Sequence, residues 1–395
     1  MKLFAFEAAE VSAIIKDLDK PLFVYRLGTA AASFKKLRAV MSERVRIAYA
    51  LKANPGLPLI TLFNAFGASF DCASAGELER LSSLSIPGQR LLFAGPAKSR
   101  RDLSCAIAAG ARVQVDSLED LQTLSELLQA DCAMHPVKVN LRVHPLVAAE
   151  EKQAIIGGSG PAVFGVDEEN LLEFLDRARD FKKIFIAGLQ VFTASNELDY
   201  LALLSRYQLT FQIARKLQEQ CGHLLDCIDL GGGLGIPYSP DDPELDIEAL
   251  GSGLEKLINE QSWFKGEVVI EPGRWLAGPC GVYLAPVIRT KVSRGVSFML
   301  LQEGINHLLR PLLTGQAFPV CPAGTAVEKS VESGTERLWT LAGPLCTGLD
   351  RLGQAMLPDM HAGAVLMFGQ TGAYGRTEAM NGFLCRDEPG ELWLD

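Results

Sequence analysis

The feature that most constrains the fold of this chain is a repeated alternation of short apolar runs with helix-like segments. Between most of the runs lie segments with apolar residues at helical spacing, as at Leu118, Leu121 and Leu124. The apolar runs have the length of buried strands and number eight, at 47–50, 69–72, 91–94, 113–115, 137–143, 184–191, 227–230 and 268–270. Eight strands that alternate with helices predict a parallel (β/α)8 TIM-type barrel.

After about residue 280 the helical segments disappear. Strand-like runs follow one another at 282–288, 296–301, 338–342, 364–368 and 391–394, and they predict an antiparallel β-domain. The early run at 22–25 is expected to join it, which makes that domain discontinuous. The predicted domains are therefore a barrel at 26–275 and a β-domain at 1–25 and 276–395. The Gly-, Ser-, Thr- and Glu-rich stretch 322–336 predicts an exposed excursion.

Composition restricts the class of function. The chain has 395 residues and is 48% hydrophobic, which suffices for a large core and two domains. A net charge of -9 argues against nucleic-acid binding, and no apolar run approaches the roughly 18 residues of a membrane span. The nine cysteines form no Cys-x-x-Cys pair, and the N-terminus lacks an apolar signal region, so we expect a cytoplasmic protein. The five histidines lack metal-ligand spacing, so no metal site is predicted.

Barrel enzymes carry their catalytic residues where the strands end. Lys52 follows the first run and precedes Asn54-Pro55, which end the element. Most lysines are solvated surface charges, and that is the alternative interpretation of Lys52. A partly desolvated lysine, in contrast, can form a Schiff base with a carbonyl compound. Asp71 lies in the second run and Arg142 in the fifth.

The seventh and eighth runs end in residues suited to a phosphorylated ligand. Gly231, Gly232, Gly233 and Gly235 follow the seventh run, where exposed backbone amides can bind phosphate, although a bare glycine run can also be a flexible turn. The eighth run ends in Glu271, Gly273 and Arg274, whose two charged groups could simply form a salt bridge. Alternatively, Glu271 keeps a pyridine nitrogen protonated and Arg274 contacts phosphate or substrate. Lysine, phosphate cradle and carboxylate together predict pyridoxal 5′-phosphate (PLP) as cofactor.

Two loops of the predicted β-domain carry candidate functional residues. Cys346 lies between glycines in the stretch 343–350, where it is either a buried loop thiol or a proton donor. Tyr374 lies between glycines in the stretch 371–375, where it either packs or reaches a phosphate.

Together these motifs resemble the alanine-racemase-type (fold III) PLP-dependent decarboxylases, which include diaminopimelate, ornithine and arginine decarboxylases. The resemblance implies that Lys52 forms the Schiff base, that Glu271 pairs with the pyridine nitrogen, and that the glycine run holds the phosphate with help from Arg274 and Tyr374. It also implies an obligate homodimer, in which Cys346 is the general acid and comes from the second subunit. Asp71, Arg142, Gln190 and Gly273 complete the implied cofactor site.

The substrate implied by the resemblance is less simple. The stretches 231–238, 343–347 and 372–375 look like those of decarboxylases in specialised metabolism, which act on amino acids attached to a siderophore intermediate or to a carrier protein. Arg310 lies in a segment similar to that of diaminopimelate decarboxylases, where the arginine binds a distal carboxylate. Thr347 stands where the enzymes for simple substrates carry glutamate or aspartate. Arg274, Arg310, Thr347 and Asp350 are the implied substrate-binding residues.

One position departs from the family pattern, because Gln190 stands where a histidine usually stacks on the cofactor ring. Glutamine does not titrate near neutral pH. The missing histidine keeps open a degenerate homologue that binds PLP without catalysis. Two further alternatives to a specialised decarboxylase are a diaminopimelate decarboxylase of lysine biosynthesis and a racemase of the same fold. The two-base arrangement of a racemase is not visible in the sequence, and release of CO2 would exclude the degenerate homologue.

Overall fold

The structure is a computed structural model that describes residues 4, 6–130, 136–146, 161–193, 195–324 and 336–395. It divides into two compact units, each built from separate parts of the chain. The barrel unit comprises Phe34–Gly235 and Leu245–Gly273. The sheet unit comprises Met1–Ser33, Ile236–Glu244 and Arg274–Asp395. Most of the predicted excursion at 322–336 lies outside the described residues.

All eight predicted barrel strands are confirmed. The first elements of the chain are α1 (Ala8–Ile15), β1 (Leu22–Arg26) and α2 (Leu27–Val40). The strands that follow in the barrel unit are β2 (Val45–Ala50), β3 (Ser69–Cys72), β4 (Leu91–Phe93), β5 (Arg112–Val115), β6 (Val137–His144), the short β7 (Val166–Asp167), β8 (Ile184–Val191), β9 (Cys227–Asp229) and β10 (Glu267–Ile270). They run parallel in the order β5-β4-β3-β2-β10-β9-β8-β6-β7, and pairing of β5 with β6 closes an eight-stranded barrel.

Helices separate most of the barrel strands, as the leucine spacing predicts. They are α3 (Leu57–Ala65), α4 (Ala75–Ser82), α5 (Arg100–Ala108), α6 (Leu118–Ala130), α7 (Leu171–Ala178), α8 (Tyr200–Cys221) and α9 (Ile247–Glu260). Local sequence sets where some of them begin, because Ser74 and Ser99 each accept a hydrogen bond from the third amide of the following helix. Within the described ranges no helix is both long and apolar enough to cross a membrane.

The sheet unit contains β1 and the strands near the end of the chain. After the short helix α10 (Arg274–Ala277) come β11 (Gly281–Ser293), β12 (Val296–Leu301), helix α11 (Arg310–Thr314), β13 (Val320–Pro322), β14 (Arg337–Ala342), β15 (Arg351–Leu357), β16 (Val365–Phe368) and β17 (Gly390–Leu394). The order is β13-β16-β11-β12-β14-β15, with β1 between β11 and β17. Its core includes Val24, Val282 and Leu284, all buried, so the early strand is part of this sheet as expected.

The prediction that this sheet is antiparallel was wrong for two of its strand pairs. Strand β1 is parallel to β17, and β12 is parallel to β14, so the sheet is mixed. Consecutive strands without helices between them favour hairpins, which are antiparallel. Both parallel pairs instead join strands that are far apart in sequence, and no short turn is needed to connect them.

Candidate active site

Lys52 lies on a one-turn 3-10 helix, Leu51–Ala53, directly after β2. A hydrogen bond from β2 holds this turn, because the Tyr49 hydroxyl donates to the Asn54 carbonyl at 2.9 Å. The neighbours Leu51 and Ala53 are buried, whereas 36% of the Lys52 side chain is exposed. The lysine amine is therefore accessible although its backbone is held by the core.

A carboxyl group and an aromatic ring lie beside the Lys52 amine. Its Nζ is 3.5 Å from Asp71 Oδ2 and 5.6 Å from the centre of the Phe192 ring. Asp71 is 2% exposed at the end of β3. Burial, followed by the nearby negative charge of Glu271, raises the pKa of Asp71 to about 7, against the opposing effect of Lys52 and Arg142. Near neutral pH, Asp71 is therefore able to exchange a proton.

Glu271 follows β10 and is 3% exposed. Its Oε1 accepts a hydrogen bond from Gln190 Nε2 at 2.9 Å. Burial and the charge of Asp229 raise the pKa of Glu271 well above its usual range. With its pKa raised in this way, Glu271 favours the protonated form beside Asp229.

Asp229 completes this acid pair on the neighbouring strand. Burial raises its pKa to about 6 in spite of the hydrogen bonds that it accepts. Gln114 Nε2 donates to Asp229 Oδ2 at 2.8 Å, and the Gly231 amide donates to Oδ1 at 2.9 Å. Asp229 is therefore held by two donors beside the Glu271 carboxyl group. We call Lys52, Asp71, Gln190, Asp229 and Glu271 the barrel cluster.

Gln190 uses its amide nitrogen to orient Glu271. Its Oε1 is buried and has no hydrogen-bond partner in the part of the chain that the structure describes. Asp71 Oδ1 is a second buried acceptor of this kind. Since buried polar atoms in folded proteins are nearly always paired, two such acceptors in one cluster favour a site built for a polar ligand.

The glycine run after β9 is required by close backbone contacts. Gly231 and Gly233 have φ angles of 67° and 104°, which favour glycine. A Cβ on Gly232 would lie 2.7 Å from the Glu271 carbonyl oxygen, and one on Gly235 would lie 2.6 Å from that of Glu197. The Gly231 and Gly235 amides donate to acceptors within the barrel unit. The predicted phosphate contact therefore concerns the amides between these two residues.

Gly273 is likewise a packing residue. A Cβ on Gly273 would lie 2.8 Å from the Ala53 Cβ, in the turn that carries Lys52. A larger residue would displace that turn. Gly273 thus contributes to a cofactor site by leaving room for the turn that positions Lys52.

In the sheet unit, two buried arginines flank the ring of Tyr374. The guanidinium carbons of Arg274 and Arg310 lie 4.5 Å and 5.6 Å from the ring centre. Arg274 Nη1 also donates to the Tyr238 hydroxyl at 2.6 Å. Arg310 is 5% exposed, its Nε has no partner among the described residues, and its Nη1 is 3.5 Å from Glu378 Oε2. This is an incompletely paired cation, suited to a further anion.

The loop 343–350 exposes its cysteine and buries its aspartate. Cys346 is exposed, which excludes the interpretation as a buried thiol. Asp350 accepts the amides of Ile305 and Leu345 at 2.8 and 2.7 Å, one on each carboxylate oxygen. Thr347 Oγ1 accepts the Leu349 amide. The geometry does not support the prediction that Asp350 binds substrate; Asp350 holds the loop that presents Cys346.

The comparison with protein families decides the identity of this constellation. Residues 27–278 match the family described as pyridoxal-dependent decarboxylase, pyridoxal binding domain. The chain belongs to this family. It is a PLP-dependent amino-acid decarboxylase, and the cofactor predicted from the sequence is confirmed.

Individual relatives of this decarboxylase cover almost its whole length. It is 28% identical over 393 residues to the L-glutamyl-[BtrI acyl-carrier protein] decarboxylase of Niallia circulans, covering 98% of this chain and 91% of the relative. It is 29% identical over 377 residues to the diaminopimelate decarboxylase of Deinococcus radiodurans, with 94% and 90% covered. The crystal structure of the Helicobacter pylori diaminopimelate decarboxylase in complex with L-lysine has the same fold, with a TM-score of 0.85, 23% identity and coverage of 97% and 94%.

The barrel cluster fits the PLP of this decarboxylase family. Lys52 offers an accessible amine, and Glu271 offers a buried proton for a basic ring nitrogen. The unpaired Gln190 Oε1 and Asp71 Oδ1 offer acceptors to polar groups of the ring. Ionising a carboxyl group is costly when the group is buried alone, but it becomes favourable beside a protonated ring nitrogen.

Within each unit, the structure adds candidate residues that the sequence prediction lacks. Asp229 ends β9 directly before the glycine run, so the rule that strand ends carry the site would have found it. Tyr238 and Glu378 carry no such signal, because only folding brings them to Arg274 and Arg310.

Proposed function

We propose that this decarboxylase removes the α-carboxylate of a diamino acid or a conjugated amino acid that carries a second carboxylate, as in siderophore or other specialised-metabolite intermediates. The observation that carries the proposal is Arg310, a buried guanidinium with an unpaired Nε and one distant carboxylate partner. A second substrate carboxylate would supply the hydrogen-bond acceptors that this arginine lacks.

The proposed roles of the barrel residues follow from their chemistry. PLP, when bound, supplies an electron sink for the electron pair left on Cα as CO2 departs. Lys52 holds the cofactor covalently between turnovers, and Asp71 takes and returns the proton of its amine. Glu271 keeps a proton on the ring nitrogen, and Gln190 holds the Glu271 carboxyl in the required orientation. The glycine run is proposed to bind the phosphate.

In the sheet unit, Arg274 and Tyr374 are proposed to bind phosphate or substrate, and Arg310 the second carboxylate. The partner subunit's Cys346 is proposed to protonate Cα as a general acid. Thr347 offers no charge to a substrate amine, which disfavours plain diaminopimelate.

Diaminopimelate remains the second candidate substrate, because its distal centre also carries a carboxylate for Arg310. The relatives include enzymes for both a carrier-linked and a free amino acid. The deciding experiment is a CO2-release screen of the purified protein with diaminopimelate, lysine, ornithine, arginine, and citryl- or carrier-linked amino acids. Preference for a linked substrate supports the proposal, preference for diaminopimelate supports the second candidate, and no release from any supports a binding-only homologue.

Replacing the candidate carboxylate-binding arginine tests substrate selection. For Arg310→Met we expect kcat/KM to fall by roughly 10- to 150-fold for substrates with a second carboxylate, the value of a hydrogen bond to a charged group. For lysine, which lacks that carboxylate, kcat/KM should change little. Steady-state kinetics with paired substrates measures the difference.

Two further variants separate binding from stability. Arg386→Met removes another ion pair of the sheet unit, with Glu303, and should not change the preference between the paired substrates. Glu378→Gln removes the carboxylate that competes for Arg310 and should lower KM for the dicarboxylic substrate. Equal losses for both substrates in Arg310→Met would show that Arg310 only stabilises the fold.

The homodimer is a separate proposal, supported by exposure on the sheet unit. Cys346 is exposed, and the large apolar side chains of Leu349, Phe383 and Leu384 are 61%, 39% and 49% exposed. Exposed apolar side chains of this size are typical of surfaces that another chain covers. We therefore expect a stable dimer in which each subunit provides Cys346 to the other.

Mixing two inactive proteins tests the shared site. Lys52→Ala and Cys346→Ser are each expected to be inactive, but hybrid dimers would contain one site with neither change. Activity should therefore appear on mixing and subunit exchange, measured as CO2 release. A mixture that exchanges subunits, shown by tagged pull-down, and stays inactive would exclude a cysteine supplied by the partner.

A further inference from the structure

A buried lysine in the barrel unit has no role in the chemistry proposed above. Lys98 follows β4, and only 1% of its side chain is exposed. Its Nζ donates to Asp116 Oδ1 at 2.6 Å and to Asp120 Oδ2 at 2.7 Å. Asp116 directly follows β5, and Asp120 lies in the first turn of α6. Buried charges are costly unless they are paired, so this triad is a specific arrangement.

Asp116 connects the triad to Arg142, one of the residues assigned to the cofactor site. Asp116 Oδ2 accepts the Gly165 amide at 2.9 Å and lies 4.0 Å from Arg142 Nε. That separation is too long for a hydrogen bond. The Arg142 guanidinium instead lies over the Phe164 ring, 4.7 Å from its centre.

The four charged side chains balance. When ionised, Lys98 and Arg142 carry two positive charges, and Asp116 and Asp120 carry two negative charges. Without Lys98, the two carboxylates would attract Arg142, because charges attract strongly in a buried environment. Arg142 would then close the 4.0 Å separation and form a direct ion pair with Asp116.

The position of Arg142 matters to Asp71. The positive charges of Lys52 and Arg142 lower the pKa of Asp71, whereas burial and Glu271 raise it. Two more acidic groups are coupled to Asp71, because its negative charge raises the pKa of Glu77 and of Asp229. Asp71 lies 3.5 Å from the Lys52 amine. Movement of Arg142 therefore changes the charge on the carboxyl group that is paired with Lys52.

We propose that Lys98 is a positioning residue: by occupying Asp116 and Asp120 it keeps Arg142 available to Asp71 and so sets the charge on the Asp71–Lys52 pair. The inference rests on the proposed role of Lys52. It predicts that a residue without access to substrate controls the pH at which Lys52 takes up the cofactor.

The experiment measures the rate of PLP uptake by apoprotein as a function of pH, followed by the visible absorbance of the lysine-bound cofactor. Lys98→Met should move the uptake profile to higher pH by on the order of one unit, so that uptake below the midpoint is about tenfold slower. Lys98→Arg keeps the charge and should restore the profile. Lys138→Met removes an exposed ion pair with Asp226 elsewhere on the barrel and should leave the profile unchanged.

Two double variants of equal charge separate positioning from net charge and from misfolding. Lys98→Met/Asp120→Asn retains Asp116, which can still draw Arg142 away, so its profile should remain shifted. Lys98→Met/Asp116→Asn removes that carboxylate, so its profile should return to that of the wild type. Identical profiles for the two, or a folded Lys98→Met with the wild-type profile, would overturn the inference. Absence of cofactor on Lys52 in the wild type would instead overturn the proposed function.

Discussion

Lys52→Ala is expected to abolish covalent cofactor attachment and to reduce CO2 release by roughly 10³-fold or more, as in other enzymes that lose a covalent catalytic group. The physical reason is that no other amine of the barrel cluster can bond to the cofactor. Borohydride reduction of PLP-loaded protein, followed by peptide mass spectrometry, measures attachment directly. The wild type should carry the label on the peptide that contains Lys52, and the variant should carry none.

The fold of Lys52→Ala should remain intact, because 36% of the side chain is exposed and only its backbone is held in the core. Lys36→Ala, which removes another barrel-unit lysine paired with Glu248, controls for nonspecific labelling and should keep full attachment and activity. Visible absorbance of a lysine-bound cofactor that persists in Lys52→Ala would exclude Lys52 as the attachment site.

The sequence predicts the barrel well because buried parallel strands and their helices have a local signature. All eight apolar runs became strands, and Lys52, Asp71 and Glu271 were found because they stand where strands end. Strand partners are not local, so the parallel pairs of the mixed sheet were missed. Strand β15 (Arg351–Leu357) was missed as well, because its burial does not follow a regular alternation.

The sequence predicted individual candidate residues of the site, but not the contacts between them. Gln190 was recognised as a departure from a stacking histidine, but its hydrogen bond to Glu271 joins residues 81 positions apart. The Asp229–Glu271 pair depends on which strands are neighbours in the barrel, β9 and β10. The same holds for Lys98, which the sequence shows as one of many lysines and the structure shows as fully buried between two aspartates. Pairing and burial, which set the pKa of these groups, are properties of the fold.

Glu271→Gln is the second change with a large expected effect. The introduced amide retains an acceptor for Gln190 and a donor for Asp229, but it cannot give a proton to the ring nitrogen. We expect kcat to fall by roughly 10²- to 10³-fold, the usual cost of removing one preorganised electrostatic group. Cofactor should still attach to Lys52, which distinguishes this variant from Lys52→Ala. CO2-release kinetics and the borohydride label measure both outcomes.

Stability gives an independent test of the same residue. The pKa of Glu271 is raised in the folded protein, so the folded state binds more protons than the unfolded state once pH exceeds the ordinary range of glutamate. Glu271 therefore lowers the free energy of unfolding of the apoprotein as pH rises above about 4.5. Thermal melts from about pH 5 to about pH 8 should show a smaller loss of stability in apo Glu271→Gln than in the wild type, because the variant lacks the Glu271 contribution. Some loss should remain, because Asp71 and Asp229 contribute to it in both proteins. A variant with near-wild-type kcat, or one destabilised at every pH, would contradict a buried, protonated Glu271 that serves the cofactor ring.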